Sequence, residues 1–160
     1  MKERILIVED DPGMRLGMSH FLTTAGYTVM ECDNGDAALR ILQNQGIDIV
    51  ITDLRLPGLD GLSILKKVKT EYPDTGVIII TAFADVRTAV QAIRDGAFDY
   101  IAKPFTNEEL LVVIERFIKF RGLEKEVLRL KRSIKEAGHD NLIAMSPAMK
   151  DVIDRIEAIA

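Results

Sequence analysis

The sequence predicts an α/β protein: a doubly wound parallel sheet of five strands with helices on both faces, followed by a helical extension. Apolar runs bounded by turn residues indicate strands that are buried on both faces. Amphipathic segments with helical spacing separate these runs, and glycine or proline ends most of them. Strict alternation of the two patterns requires parallel strands joined by right-handed crossovers.

The predicted strands differ in how apolar they are. The first, third and fourth are continuous apolar runs, whereas the second alternates as a less buried strand does. The fifth leads into a Lys-Pro dipeptide. In chain order, the strands are predicted at residues 4–8, 27–32, 49–53, 76–81 and 97–102.

Each predicted helix follows a strand. Asp11 is predicted to cap the first helix, because it precedes Pro12 and proline suits a first helical turn. The apolar positions at helical spacing are Met14, Met18, Phe21, Leu22 and Ala25 in the first helix; Ala38, Ile41 and Leu42 in the second; Leu62, Leu65 and Val68 in the third; Val86, Ala89, Val90 and Ile93 in the fourth; and Leu110, Val113, Ile114 and Phe117 in the fifth, which begins near Asn107.

Beyond residue 117 the pattern changes to one narrow apolar stripe with no strand after it. A lone helix must bury such a stripe, so we expect either a coiled coil with a second copy, which we favour, or packing back on the domain. The six basic and three acidic residues of the segment 121–136 are expected to form a solvated face rather than a DNA contact. The stripe consists of Phe120, Leu123, Val127, Leu130 and Ile134.

Composition argues against several classes of function. The net charge of −4, from 21 basic and 25 acidic residues, gives no global indication of nucleic-acid binding. No apolar run approaches the roughly 20 residues that cross a bilayer, and no secretory leader precedes the first strand, so we expect a cytoplasmic protein. The single cysteine, Cys32, allows no internal disulfide and is expected to fill core space. His20 and His139 are expected at the surface.

Reactive side chains stand at the ends of four predicted strands. Glu9 and Asp10 follow the first strand, Asp53 ends the third, Thr81 ends the fourth and Lys103 follows the fifth. In a doubly wound sheet these ends share one rim, where ligands bind. Crowded carboxylates repel one another unless a cation joins them, and oxygen ligands without histidine or cysteine favour Mg²⁺ over zinc. With a lysine and a hydroxyl, the set predicts a phosphoryl-transfer site in which Asp53 is the nucleophile.

Four motifs support a more specific interpretation. The segments VEDD (8–11), ITDLRLPGLDG (51–61), IIITAFAD (78–85) and YIAKPF (100–105), in this order and spacing, resemble the receiver domain of two-component response regulators. The resemblance covers residues 1–120. It implies a flavodoxin-like sheet with the strand order 2-1-3-4-5.

The resemblance also implies how the site works with Mg²⁺. Asp53 would be the phosphoacceptor, and the metal would be held by Asp10, Asp53 and the backbone carbonyl of Arg55. Glu9 stands where many receivers have aspartate and would act on the metal through water. No cofactor besides Mg²⁺ is implied.

Three further residues receive roles from the same resemblance. Thr81 and Lys103 would hold the phosphoryl oxygens, and the Lys103-Pro104 peptide bond is expected to be cis. Tyr100 corresponds to the aromatic side chain that swings inward as Thr81 moves towards the phosphoryl group.

The end of the chain resembles another domain. Residues 141–160, NLIAMSPAMKDVIDRIEAIA, resemble the start of the AAA+ ATPase domain of NtrC-family, sigma-54-dependent activators, with Ala144 in place of the usual glycine. No Walker A loop occurs in the sequence, so no ATPase activity is expected of it. The domains are therefore predicted as a receiver (1–120), a coiled-coil-like linker helix (121–137), and the linker end with a truncated AAA+ start (138–160).

The leading hypothesis is a phosphorylation-controlled regulatory module. A cognate histidine kinase would phosphorylate Asp53, and the change would control a homodimer, formed through the linker helix and the face of the fourth helix, fifth strand and fifth helix, and an attached AAA+ domain. Apart from catalysing its own phosphorylation and dephosphorylation, the chain would not be an enzyme, nor would it contact nucleic acid or membrane. One alternative is a stand-alone phosphorelay or chemotaxis-type receiver. A phosphatase of haloacid-dehalogenase type is disfavoured, because Arg55 occupies the position of its second aspartate.

Overall fold

A computed structural model describes residues 2–82, 85–137 and 155 of the chain. The chain divides into two compact units, Met1–Phe117 and Ile118–Ala160. Strands and helices alternate strictly, as predicted. In chain order the elements are β1 (Arg4–Val8), α1 (Pro12–Thr24), β2 (Thr28–Cys32), α2 (Gly35–Asn44), β3 (Ile49–Asp53), α3 (Gly61–Glu71), β4 (Gly76–Thr81), α4 (Val86–Arg94), β5 (Asp99–Ala102) and α5 (Asn107–Glu136).

The five strands form one parallel sheet in the order β2-β1-β3-β4-β5. This confirms the predicted fold class and strand order. The register places Asp53 beside Ile80 and Thr81 beside Ala102. The amide of Lys103 then donates to the carbonyl of Thr81 at 2.9 Å, which extends the β4–β5 pairing by one residue. The carboxyl ends of β1, β3, β4 and β5 therefore lie along one rim of the sheet.

The core is built on the three inner strands, β1, β3 and β4. Every residue of β3 and β4 is buried, and so are residues 5–8 of β1, which explains why these strands are continuous apolar runs. The edge strand β2 is only partly buried, in agreement with its alternating sequence. Helical side chains that are buried at the positions predicted for them are Met18, Leu22, Ala38, Leu42, Leu65, Val68, Leu110, Val113, Ile114 and Phe117.

Side-chain caps fix where α1 to α4 begin. Each helix is preceded by an aspartate or asparagine whose side chain accepts a backbone N–H of the first turn. Asp11 is one of them, as predicted. Because each cap lies in the loop after a strand end, the same residues also hold the loops that surround the rim. The four bonds run from Met14 N to Asp11 (2.9 Å), Ala37 N to Asn34 (2.8 Å), Ser63 N to Asp60 (2.8 Å) and Thr88 N to Asp85 (2.7 Å).

Two predicted strand starts are displaced by helix ends. Gly26 and Gly96 adopt positive φ angles of 100° and 105°, in the left-handed region that lets a helix terminate. The amides of the next residues, Tyr27 and Ala97, still donate to helix carbonyls, at 3.1 and 3.0 Å. These residues therefore belong to the helix termini, and β2 and β5 begin later than the apolar patterns predict.

The apolar pattern of α4 gives the correct helix but not its buried face. Val86 is 79% exposed, and Val90 and Ile93 are exposed as well. The buried residue of this helix is Ala92, whose small side chain allows close packing. Helical periodicity identifies an apolar face but does not say what covers that face, so three apolar side chains of α4 remain on the surface.

The second unit contains the later part of α5. The helix α5 continues without interruption to Glu136. Residues 121–136 of the predicted linker helix are therefore the later part of α5. The predicted stripe residues Phe120, Leu123 and Leu130 are exposed, and Val127 and Ile134 are partly buried. His139, Ala144 and, apart from residue 155, the predicted AAA+ start (138–160) lie outside the described residues, whereas His20 is exposed as expected. Among the residues that the structure describes, no helix combines the length and hydrophobicity of a membrane span.

Candidate functional site

Asp53 lies at the centre of the rim, as the last residue of β3. It is 8% exposed, and each of its carboxylate oxygens has a donor. The amide of Arg55 donates to Oδ1 at 3.1 Å, and the amine of Lys103 donates to Oδ2 at 2.6 Å. A buried carboxylate held in this way keeps one orientation, with its oxygens near the solvent-facing edge of the sheet.

Lys103 joins two strand ends. Its Nζ donates to Asp53 Oδ2 and also, at 2.8 Å, to Glu9 Oε2, and 15% of its side chain is exposed. The lysine follows β5, so its side chain reaches past β4 to Asp53 at the end of β3 and to Glu9 just after β1. Burial lowers the pKa of the Lys103 ammonium, but the hydrogen bonds and charges of Asp53 and Glu9 outweigh burial, and the net effect is a raised pKa.

Glu9 is the most buried charged residue of the site, with 1% of its surface exposed. Its Oε1 accepts the amide of Asp11 at 3.1 Å, while Oε2 accepts Lys103. Burial raises the pKa of the Glu9 carboxyl, and the contacts with Lys103 and the Asp11 amide oppose this only in part. The ion pair between Glu9 and Lys103 was not predicted from the sequence, which assigned Glu9 a role near the metal only.

The acidic residues fit a divalent cation. Carboxylate oxygens of Glu9, Asp10 and Asp53 all lie within 4.8 Å of one another, and Asp10 is exposed to solvent. Three carboxylates face one ammonium, so the cluster carries net negative charge. An all-oxygen donor set of this kind suits a hard cation such as Mg²⁺, which keeps several waters and takes few protein ligands.

The other predicted site residues lie around this cluster. Thr81 is fully buried at the end of β4. Asp53 pairs with Ile80 in the register, so Thr81 lies one residue further along β4. Tyr100 is partly buried in β5; burial raises the pKa of its hydroxyl, as do the charges of Asp85 and Asp53. The Lys103-Pro104 peptide bond is cis, as the resemblance implied. The structure therefore brings Glu9, Asp10, Asp53 and Lys103 into one cluster, with Thr81 on the adjacent strand end and Tyr100 on the next strand.

Gly61 is a residue of the site that sequence analysis did not single out. A Cβ at this position would lie 2.3 Å from the carbonyl oxygen of Asp53 and 2.9 Å from Cα of Leu54. Its amide donates to the carbonyl of Leu54 at 2.9 Å, which closes the loop between β3 and α3. Only glycine allows the start of α3 to approach the backbone of Asp53 this closely.

Comparison with known proteins identifies the family. The sequence signature described as "Response regulator receiver domain" matches residues 5–115. This range includes all five strands, apart from the first residue of β1, and the whole acidic cluster of Glu9, Asp10 and Asp53. The chain belongs to the response regulator receiver domain family. It therefore carries the phosphoryl-accepting domain of a two-component system, as the sequence predicted.

Relatives of this receiver domain are longer regulatory proteins. "Regulatory protein AtoC" of Escherichia coli is 36% identical over 98% of this chain and 34% of its own length. The "DNA-binding transcriptional regulator NtrC" of Salmonella typhimurium is 36% identical over 92% of this chain and 31% of its own length. The crystal structure of NtrX from Brucella abortus in complex with ADP has a TM-score of 0.76 at 34% identity, covering 81% of this chain and 30% of NtrX. The chain thus spans about a third of the length of these relatives.

Proposed function

We propose that Asp53 receives a phosphoryl group from a cognate histidine kinase and holds it as an aspartyl phosphate. The observation that carries the proposal is the contact of Lys103 with the Asp53 carboxylate, beside two further carboxylates. A structural ion pair would need one carboxylate per lysine, whereas this cluster keeps an excess of negative charge at a solvent-facing rim. Such an excess suits a site that recruits a cation and a phosphoryl group.

The transfer needs few groups from this chain. A carboxylate oxygen of Asp53 attacks phosphorus, the P–N bond of the donor phosphohistidine breaks, and the imidazole leaves with the electron pair and takes a proton from water. The Lys103 ammonium, which now contacts Oδ2, would move to a phosphoryl oxygen, and the Thr81 hydroxyl would donate to another. Both donors would then stabilise the aspartyl phosphate and the transition state that leads to it.

Mg²⁺ is the cation that these residues fit best. Asp10, Asp53 and the carbonyl of Arg55 would bind it directly, and it supplies positive charge that offsets the charge of the phosphoryl oxygens. Glu9 would act through water, as the resemblance implied, and its two oxygens accept the Asp11 amide and the Lys103 amine.

Phosphorylation would change the surface that this domain offers to partners. The new group adds about −1.5 to −2 charges at the rim, and we propose that Thr81 and Tyr100 move towards it. The exposed apolar residues of α4, above all Val86, lie beside this region in sequence and support a docking face formed by α4, β5 and α5. The occupant would be a second copy, with Phe120 and Leu123 of α5 contributing a coiled coil.

The effector is proposed from the relatives. AtoC and NtrC are about three times as long as this chain, and we propose that residues 138–160 begin the AAA+ domain of a sigma-54-dependent activator. The receiver domain itself would contact neither nucleic acid nor membrane, and its kinase partner implies a cytoplasmic location.

Incubation with Mg²⁺ and acetyl phosphate, followed by intact-mass spectrometry, tests the acceptor. The wild type should gain one phosphoryl group and Asp53→Asn none. Asp74→Asn serves as the control, because Asp74 is an exposed aspartate at the opposite end of the sheet and should leave the reaction unchanged. An adduct that persists in Asp53→Asn would contradict the assignment.

Sedimentation of residues 1–120 and 1–160, with and without acetyl phosphate, tests the dimer. We expect self-association to require the longer chain and to be lost in Leu123→Asp. Leu128→Asp is the matched control, since Leu128 is also exposed on α5 but lies off the predicted stripe. Equal behaviour of the two variants, or a monomer under all conditions, would favour the stand-alone receiver instead.

A further inference from the structure

Arg15 of α1 points back to the acidic cluster. Its Nη1 donates to the backbone carbonyl of Glu9 at 2.8 Å, and its Nε lies 3.9 Å from Glu31 Oε1. The Arg15 side chain is mostly buried. The backbone amide of Arg15 makes an ordinary first-turn hydrogen bond to the Asp11 carbonyl, at 3.0 Å. The guanidinium therefore spans from the helix to the strand end that carries Glu9 and Asp10.

The hydrogen bond from Arg15 to the Glu9 carbonyl lies just beyond the end of β1. The amide of Glu9 still bonds to the carbonyl of Cys32 at 3.1 Å, but β1 itself ends at Val8. The Glu9 carbonyl and the Asp10 amide belong to one planar peptide unit. By holding that carbonyl, Arg15 fixes the plane of the unit and with it the direction in which the exposed Asp10 side chain leaves the backbone.

We infer that Arg15 is a positioning residue for the cation-binding carboxylates, acting through the peptide between Glu9 and Asp10. The inference rests on the proposed function, because it takes the carboxylate cluster to bind a divalent cation. The positive charge of Arg15 and its contact with the Glu9 carbonyl predict opposite effects on cation affinity. A guanidinium close to a cation site weakens cation binding by repulsion, whereas a guanidinium that orders a ligand strengthens it.

Mn²⁺ is a suitable probe, because it takes oxygen ligands and its free concentration can be read by electron paramagnetic resonance. Arg15→Met should weaken Mn²⁺ binding about tenfold, the lower end of the loss usual for groups that orient metal ligands. Arg40→Met removes the same charge from an exposed position on α2 and should leave affinity unchanged. Arg15→Lys keeps the charge with a shorter reach and should bind with intermediate affinity. The amide ¹⁵N shift of Asp10 should move in both Arg15 variants.

Each outcome decides the question. Equal or tighter Mn²⁺ binding by folded Arg15→Met would overturn the positioning role and leave the proposed function intact. A wild type that binds no Mn²⁺ would overturn the cation site itself. If circular dichroism shows that Arg15→Met does not fold, Arg15→Lys carries the test, and wild-type affinity with an unchanged Asp10 shift in that variant would overturn the inference.

Discussion

Replacing Lys103 by methionine should lower the free energy of unfolding of the metal-free protein steeply. The ammonium lies 2.6 Å from Asp53 and 2.8 Å from Glu9, and the three side chains are only 15%, 10% and 2% exposed. Removing one partner of a buried pair costs about 3–5 kcal/mol. We take about 3 kcal/mol, because Glu9, whose pKa burial already raises, can take up a proton once the lysine is gone. For a domain of this size that loss lowers Tm by roughly 10–15 °C.

Urea and thermal unfolding followed by circular dichroism, with a chelator present, would measure the change. Lys67→Met is the matched control: Lys67 pairs with Glu71 at 3.1 Å, but both side chains are nearly half exposed. Its loss should cost no more than about 0.5 kcal/mol. Adding Mg²⁺ should restore part of the stability of Lys103→Met, because the carboxylates then gain another cation. A Lys103 variant as stable as the Lys67 variant in the chelator would refute the reasoning.

Two further predictions concern packing and the thiol. Gly61→Ala should destabilise the domain by roughly 2–3 kcal/mol and slow phosphorylation by acetyl phosphate, because the added Cβ meets the Asp53 carbonyl. Gly17→Ala, an α1 position with no atom within 4 Å of the added Cβ, should instead stabilise it by roughly 0.8 kcal/mol, and urea unfolding compares the two. Burial raises the pKa of Cys32 from its ordinary value of 9.0 to about 11. Iodoacetamide should therefore alkylate the native protein about 100-fold more slowly than the urea-unfolded chain near neutral pH. Because the pKa of the Cys32 thiol is higher in the folded protein, the contribution of the thiol to folding stability is fully present below pH 9.0 and is lost as the pH rises through about 11. Equal alkylation rates in the native and unfolded protein would contradict this burial.

The fold could be predicted because the strongest signals in the sequence are local. β3 and β4 are buried along their whole length, so nearly every residue is apolar, and the strand order followed once the motifs indicated a receiver. The carboxyl end of every strand lies at the predicted residue, and this brought Asp53, Thr81 and Lys103 to one rim.

What could not be predicted depends on contacts between distant residues. Glu9 and Lys103 are far apart in sequence, and nothing local indicates that the longer glutamate side chain reaches the lysine. The closeness of Gly61 to the Asp53 carbonyl is a property of the folded loop. Similarly, the spacing of Val86 in α4 identifies a helix without showing which face the sheet covers.

The ion pair between Glu9 and Lys103 joins residues 94 positions apart, the first strand to the last. A ribosome that has released only the first four strands has therefore made the acidic residues without the amine that neutralises them. Those carboxylates would repel one another until the final strand docks. On the proposed function, a chain that has not yet formed β5 lacks the lysine that would hold a phosphoryl oxygen, so phosphoryl acceptance at Asp53 would depend on completion of the sheet.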